Sequence, residues 1–309
     1  MSARLRGIAR ETERSVAGAN GGAPVPGGLR GKIVAAGTYR APAGRRVSVA
    51  EAVGAAARGT RMYGPEALPA PAFRPAGTRF EVTGESSLAA ARRLGDGAAV
   101  LNFASARNPG GGYLNGAQAQ EEALCRASAL YTCLLRAPGF YEHHRTHRDP
   151  FYTDRVIHSP AVPVFRDDRG SLLDEPFTAG FLTSPAPNAG VILRTAPERA
   201  GELPRALLVR AGRVLETAVV HGYRRLVLGA WGCGVFRNDP GQVAGAFRTH
   251  LAPGGGFAGA FDHVVFGILD RGRDSAVRAA FEQTFADLLP GPAAVSSSRN
   301  APAAADVRG

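Results

Sequence analysis

Apolar positions along this chain switch between two spacings. Short, mostly apolar runs suit buried strands, and steps of three and four residues suit helices. Leu5, Ile8, Ala9, Thr12 and Val16 recur at the helical step, so residues 1–19 are expected to form a helix. Gly and Pro then punctuate 20–31, which reads as loop. Residues 32–36 and 45–49 read as the strands of a hairpin, followed by a short helix over 49–57. The pattern predicts a strand at 79–83, a helix at 86–94 and a central strand, buried on both faces, at 98–103. It predicts one continuous amphipathic helix over 120–136, with Ala123, Leu124, Ala127, Leu130, Tyr131 and Leu134 on one face. Short strands are expected at 156–159 and 179–183. A long helix over 203–221 is closed by Gly222, and a buried strand follows at 225–228. Asp239 before Pro240 has the form of an N-cap and a first-turn proline, so 242–251 should be helical. A strand at 263–268 and a helix over 274–289 complete the series, and the Ala/Ser/Pro-rich 291–309 is expected to be a disordered tail.

Strands alternating with helices imply an α/β fold, with a mixed, mostly parallel sheet between two helical layers. Residues 1–78 are expected to be an N-terminal helix and extension packed on the main domain, which runs over 79–290. Ligands of such sheets sit at the carboxyl ends of strands. Two glycine-rich loops, 108–116 and 229–234, each follow a buried-type strand and precede a helix. Backbone amides in such loops could grip the two phosphates of a diphosphate.

The first of these loops carries the most informative feature. Gly110, Gly111 and Gly112 are followed at short spacing by Gln120, Glu121 and Glu122. A glycine triplet followed by Gln-Glu-Glu resembles the motif of poly(ADP-ribose) glycohydrolases, and residues 100–109, 162–168 and 229–238 resemble the compact microbial type. The resemblance covers about residue 8 to about residue 289. It implies a macrodomain-like fold and cleavage of the ribose–ribose bonds of poly(ADP-ribose) to release ADP-ribose, with no cofactor and no metal. By position it implies that Glu122 is the catalytic acid and base, that Glu121 holds the adjoining ribose and that Phe236 packs against that ribose. Gly110 to Gly112 and Gly232, Cys233, Gly234 and Val235 would line the diphosphate, and Asn102 and Gln120 join the substrate-binding set. The chain departs from the larger animal-type enzymes, which carry an acidic residue and an Asn where Asn102 and Ser105 stand here; microbial relatives share this variation.

Chemistry constrains how two adjacent glutamates share the work. Ordinary glycosidases set two carboxyls about 5–9.5 Å apart across the scissile bond. Neighbours on a helix point about 100° apart, so Glu121 and Glu122 cannot flank the anomeric carbon symmetrically. Division of labour is expected: Glu122 protonates the departing ribose oxygen and later activates water, while Glu121 orients the sugar. Two rivals stay open, a hydrolase of single ADP-ribosyl groups on protein or nucleic acid, and a non-catalytic ADP-ribose reader. The intact Glu122 argues against the reader.

Composition adds less. The net charge of +11 suggests a polyanionic partner, but Lys32 is the only lysine among 37 basic residues, and Ala, Gly, Pro and Arg are heavy throughout. The arginines are scattered, so the charge reads as compositional bias and nucleic acid is expected only as an ADP-ribosylated acceptor. The partner is otherwise poly(ADP-ribose) or ADP-ribosylated protein. Three cysteines without framework spacing, an N-terminus without an apolar core and no run of about 20 apolar residues point to a cytoplasmic protein away from membranes. A monomer is expected. Cys233 reads as a small residue in a tight loop, and Cys125 and Cys133 as core. His143 and His147 have helical metal-site spacing but no third ligand, so this segment reads as polar and solvated. Trp231 reads as a packing anchor. Phe266 or Leu269 is the candidate adenine platform.

Overall fold

The computed structural model describes residues 2–16, 33–35, 37–69, 72–73, 75–269 and 275–290. The expectations for 20–31 and 291–309 lie outside the described residues. In chain order the elements are α1 (Ala3–Val16), β1 (Ile33–Ala35), β2 (Thr38–Arg40), β3 (Arg46–Ser48), α2 (Ala50–Gly59), β4 (Arg61–Tyr63), β5 (Arg79–Thr83), α3 (Ser87–Leu94) and β6 (Ala98–Phe103). They continue with α4 (Gln120–Ala127), α5 (Leu130–Leu134), α6 (Pro138–Thr146), β7 (Val156–Arg166), β8 (Leu172–Ser184), α7 (Ala189–Thr195), α8 (Leu203–Val220), β9 (Arg225–Leu228), α9 (Pro240–Leu251), β10 (His263–Gly267) and α10 (Ala276–Thr284).

Seven strands form the main sheet in the order β4-β7-β8-β6-β9-β10-β5. From β8 to β5 every neighbouring pair is parallel, while β7 runs antiparallel to both β8 and β4. A separate antiparallel sheet holds β1, β2 and β3. The macrodomain-like, mostly parallel architecture is therefore present. Alternation along the central strands feeds two cores. Ala98 and Val100 of β6, Val227 of β9 and Val265 of β10 pack into one, with residues from α2 to α6. Ala99, Leu101, Leu226, Leu228, Val264 and Phe266 pack into the other, with α8, α9 and α10. Burial on both faces explains why these strands lack polar alternation.

Four local expectations need correction. The strands expected at 32–36 and 45–49 do not pair with each other, because β2 lies between β1 and β3 and pairs with both. The continuous helix over 120–136 is two helices, because Ser128 is extended (φ −140°, ψ 178°) and bridges Val164 of β7. Its hydroxyl donates to the Leu124 carbonyl at 2.8 Å and accepts from the Leu130 N–H at 3.2 Å, so the break is fully hydrogen-bonded. The strands expected at 156–159 and 179–183 are parts of a long hairpin, β7 and β8. Finally, β4 lies before residue 79 yet forms the edge of the main sheet, so 1–78 contributes to the sheet itself.

Capping agrees with the sequence. Asp239 accepts from the Gln242 N–H at 2.8 Å with Pro240 opening α9, and Ser86 accepts from Ala89 N–H at 3.0 Å to start α3. The N-terminal helix is tied to the loop before α4: the buried Tyr113 hydroxyl lies 2.9 Å from Glu13 Oε1 and 3.1 Å from the Ala9 carbonyl.

Candidate active site

The carboxyl ends of β6, β9 and β10 open onto a cleft of ≈ 990 Å³, large enough for a nucleotide sugar. Its walls are the loop after β6 (103–108), Gly111 and Gly112, the start of α4, the loop after β9 (Ala230 and 232–236), residues 267–269, the start of α3, Tyr152, Asp168 and Val277.

Gln120 opens α4 and fixes it to β6. Its Oε1 accepts from the Phe103 N–H at 2.9 Å, and its Nε2 donates to the Leu101 carbonyl at 2.8 Å and to Ser87 Oγ at 3.0 Å. The next two side chains both turn toward Gly111. A methyl group there would lie 2.5 Å from Glu122 Oε1 and 3.2 Å from Glu121 Oε2. Gly111 also has φ +57°, so glycine is required on both counts.

The two carboxyls differ in their bonds. Glu121 is 2% exposed, and both its oxygens are used. Oε2 accepts from the Ser105 N–H at 2.7 Å and Oε1 from Asn102 Nδ2 at 3.2 Å. Burial pushes its pKa up to about 8; the Ser105 and Asn102 donors oppose that rise, and the charge of Glu122 adds to it. Glu122 lines the cleft with one oxygen committed and one not. Its Oε1 accepts from the Gly112 N–H at 2.9 Å, and its Oε2 has no partner among the described residues. A buried carboxyl oxygen without a partner is costly.

The remaining expected residues divide. Gly232, Cys233, Gly234, Val235 and Phe236 all line the cleft, with Val235 exposed at its rim. Gly232 has φ +72°, and its carbonyl accepts from the Asn238 N–H and Nδ2, both at 3.1 Å, which knits the loop together. Asn102 and Gly110 are not on the cleft surface. Asn102 is fully buried and gives its amide to Glu121 and, at 3.1 Å, to Thr183 Oγ1. Gly110 faces the core, where a methyl group would meet Tyr131 at 2.9 Å and Cys125 at 3.2 Å. Phe266 is also corrected: it is fully buried against Phe247, Phe281 and Phe285, whereas Leu269 lines the cleft beside Ile268 and Val277.

Trp231 is the packing anchor expected, buried on Phe247 with Nε1 donating to the Ser184 carbonyl at 2.9 Å. Burial pushes the Cys233 thiol up to about 12, which makes it a poor nucleophile. The His143 and His147 rings stack at 4.0 Å, and His143 Nε2 lies 3.1 Å from Arg155 Nη1. Among the described residues no three His, Cys, Asp or Glu side chains are grouped to hold a metal, and no helix is long and apolar enough to cross a membrane.

Three cleft residues were not legible in the sequence. Tyr152 has φ +57° and places its ring 5.9 Å from that of Phe236. Asp168, at the tip of the β7–β8 hairpin, accepts from Ser86 Oγ at 2.6 Å and closes one wall. Arg107 lies in the loop after β6. Arg107 and Asp168 fall in the segments 100–109 and 162–168 that carry the resemblance, but nothing local singles them out there, and Tyr152 comes from a segment with no local pattern that marks it.

Comparison with known proteins gives the same assignment. The family model for the microbial-type PARG catalytic domain matches residues 30–167. A poly(ADP-ribose) glycohydrolase structure from Thermomonospora curvata is 49% identical, with a TM-score of 0.82 over 92% of this chain and 100% of that one. A structure of the T. curvata enzyme bound to the inhibitor ADP-HPD is 48% identical, with a TM-score of 0.78 over the same shares. The enzyme from Deinococcus radiodurans in complex with ADP-ribose is 44% identical, with a TM-score of 0.71 over 76% of this chain and 98% of that one. No curated protein matches. With close to half its residues identical to a structure it covers end to end, and with the glycine turn and paired glutamates in one cleft, the chain belongs to the microbial-type poly(ADP-ribose) glycohydrolase family.

Proposed function

We propose that the cleft takes the ADP-ribose unit at the end of a poly(ADP-ribose) chain and that Glu122 drives hydrolysis of its ribose–ribose bond. The observation that carries this reading is Glu122 itself, a residue of the cleft wall whose Oε1 is held by Gly112 and whose buried Oε2 has no partner among the described residues. In the first step the C1″–O bond breaks, its electron pair goes to the departing ribose oxygen, and the Glu122 carboxyl gives that oxygen its proton. The ribosyl cation left behind lies near the substrate's own diphosphate. Water then adds to C1″ and returns a proton to Glu122. Glu121, clamped by Ser105 and Asn102, orients the sugar through its hydroxyls. The loop after β9 holds the diphosphate, Phe236 packs on the terminal ribose, and the apolar end at Leu269 receives the adenine.

Hydrolysis of single ADP-ribosyl groups and non-catalytic reading of ADP-ribose are separated from this function by one assay. Free ADP-ribose is quantified by chromatography after incubation with polymer of defined length and with singly modified protein. Polymer cut with single modifications untouched supports the glycohydrolase; binding without turnover supports the reader. Glu122→Ala should abolish release and leave ADP-ribose binding intact. The same reading takes the enzyme as a cytoplasmic monomer, with residues 79–290 as the bulk of its catalytic domain and 1–78 packed on it and adding the edge strand β4. The three free cysteines fit a reducing compartment.

A further inference from the structure

Arg107 is the one cationic residue on the cleft wall among the described residues. Two further arginines, neither of them on the cleft wall, touch it. Its Nη2 donates to the Arg148 carbonyl at 3.4 Å, and its own carbonyl accepts from Arg145 Nη1 at 2.8 Å. Arg145 and Arg148 are exposed, and none of the three forms an ion pair among the described residues. The adjacent acid, Asp149, is already engaged by Arg199 at 3.2 Å. Arg107 Nε is buried with no hydrogen-bond partner. A buried donor left unmade raises the free energy of the cleft, and the Arg145 guanidinium on the Arg107 carbonyl sets a second positive charge close by. An anion answers both.

The position of the cluster says which anion. Asn108, next to Arg107, gives its carbonyl to the Gly111 N–H at 2.9 Å, and Gly111 is the residue against which both carboxyls lie. On the other side, Tyr152 has its ring 5.8 Å from His144 of α6 and 5.9 Å from Phe236. The arginines therefore border the reacting end of the cleft, away from the apolar end at Leu269. We propose that Arg107, Arg145 and Arg148 form a phosphate subsite for the polymer unit on the leaving side of the scissile bond. The inference rests on Glu122 being the acid of a poly(ADP-ribose) glycohydrolase. One unit then fills the cleft from Leu269 to Glu122, and the alcohol that departs belongs to the next unit. That unit carries its own diphosphate, whose oxygens suit the forked donors of arginine. Polymer is thereby gripped on both sides of the bond that breaks, while free ADP-ribose touches one side only.

The test measures kcat/KM on poly(ADP-ribose) of defined length and the Kd of ADP-ribose, at low and raised salt. Arg148→Glu changes an exposed side chain and leaves the backbone carbonyl that Arg107 uses. It and Arg107→Ala should each lower polymer kcat/KM by about tenfold at low salt, with ADP-ribose affinity unchanged. Raised salt should slow the wild type toward the Arg148→Glu variant, because exposed charges are screened. A parallel loss of ADP-ribose affinity overturns the inference, since the arginines would then grip the unit inside the cleft. Unchanged polymer kinetics in both variants, beside an active wild type, overturns it as well. A wild type that releases no ADP-ribose overturns the glycohydrolase reading and this inference with it.

Discussion

Gly112 holds Glu122: its backbone N–H donates to Oε1 at 2.9 Å, across a turn in which Gly111 is pressed against the same carboxyl. The glycine turn expected to cradle phosphate therefore also sets the direction of this carboxyl. One oxygen is fixed, and the other is buried without a partner among the described residues. A methyl group at Gly111 would sit 2.5 Å from Glu122 Oε1 at φ +57°, so Gly111→Ala must displace either the turn or the carboxyl. We expect kcat on polymer to fall by about 10²-fold, the scale of a misplacement near 1 Å. ADP-ribose affinity, measured by calorimetry, should change by much less.

Stability should depend on pH through two buried carboxyls. Burial pushes Glu121 up to about 8 and Glu13 up to about 7, the latter against the opposing bond from Tyr113. In the unfolded chain both return to the ordinary value of 4.5. The folded state binds these protons more tightly, so their contribution is full below the unfolded value and is lost as pH rises through 7 to 8. Chemical denaturation from about pH 5 to about pH 9 should show stability falling across this window. Glu121→Gln and Glu13→Gln should each flatten the fall. A slope unchanged in both variants contradicts the assignment.

Asn102 separates a positioning role from direct binding. It is fully buried, off the cleft surface, and donates to Glu121 Oε1 at 3.2 Å. Asn102→Ala removes one of the two donors that orient Glu121. Polymer turnover should fall by about tenfold, the loss expected for one hydrogen bond, with the Kd of ADP-ribose unchanged. A Kd that weakens in step with turnover would place Asn102 on the substrate.

These cases show what a linear reading captures. The strands β6, β9 and β10 are legible because burial on both faces makes them mostly apolar, and α9 because Asp239 and Pro240 mark its start. The break at Ser128 is not legible, because the residue leaves a helical pattern to bridge Val164, a partner distant in sequence. The hairpin β7–β8 is underestimated because Pro160, Pro163 and the Asp174–Glu175 pair interrupt its apolar pattern. In the site, Glu121, Glu122 and the loop after β9 follow from motif and spacing. Which oxygen is held and which is free does not, since Gly112, Ser105 and Asn102 choose it through the fold. Tyr152 and Asp168 arrive from opposite ends of the β7 region, and only the folded chain brings them to the cleft. Phe266 misleads because a strand-exit aromatic and a core aromatic share one local pattern.

The most direct test of the central claim is a crystal structure of this chain with ADP-ribose bound. The account predicts the terminal ribose packed on Phe236, with its anomeric oxygen about 2.5–3.0 Å from Glu122 Oε2, within hydrogen-bond reach. The Gly112–Glu122 bond should be unchanged. A ribose bound away from Glu122, or a Glu122 carboxyl turned out of the cleft, would contradict it.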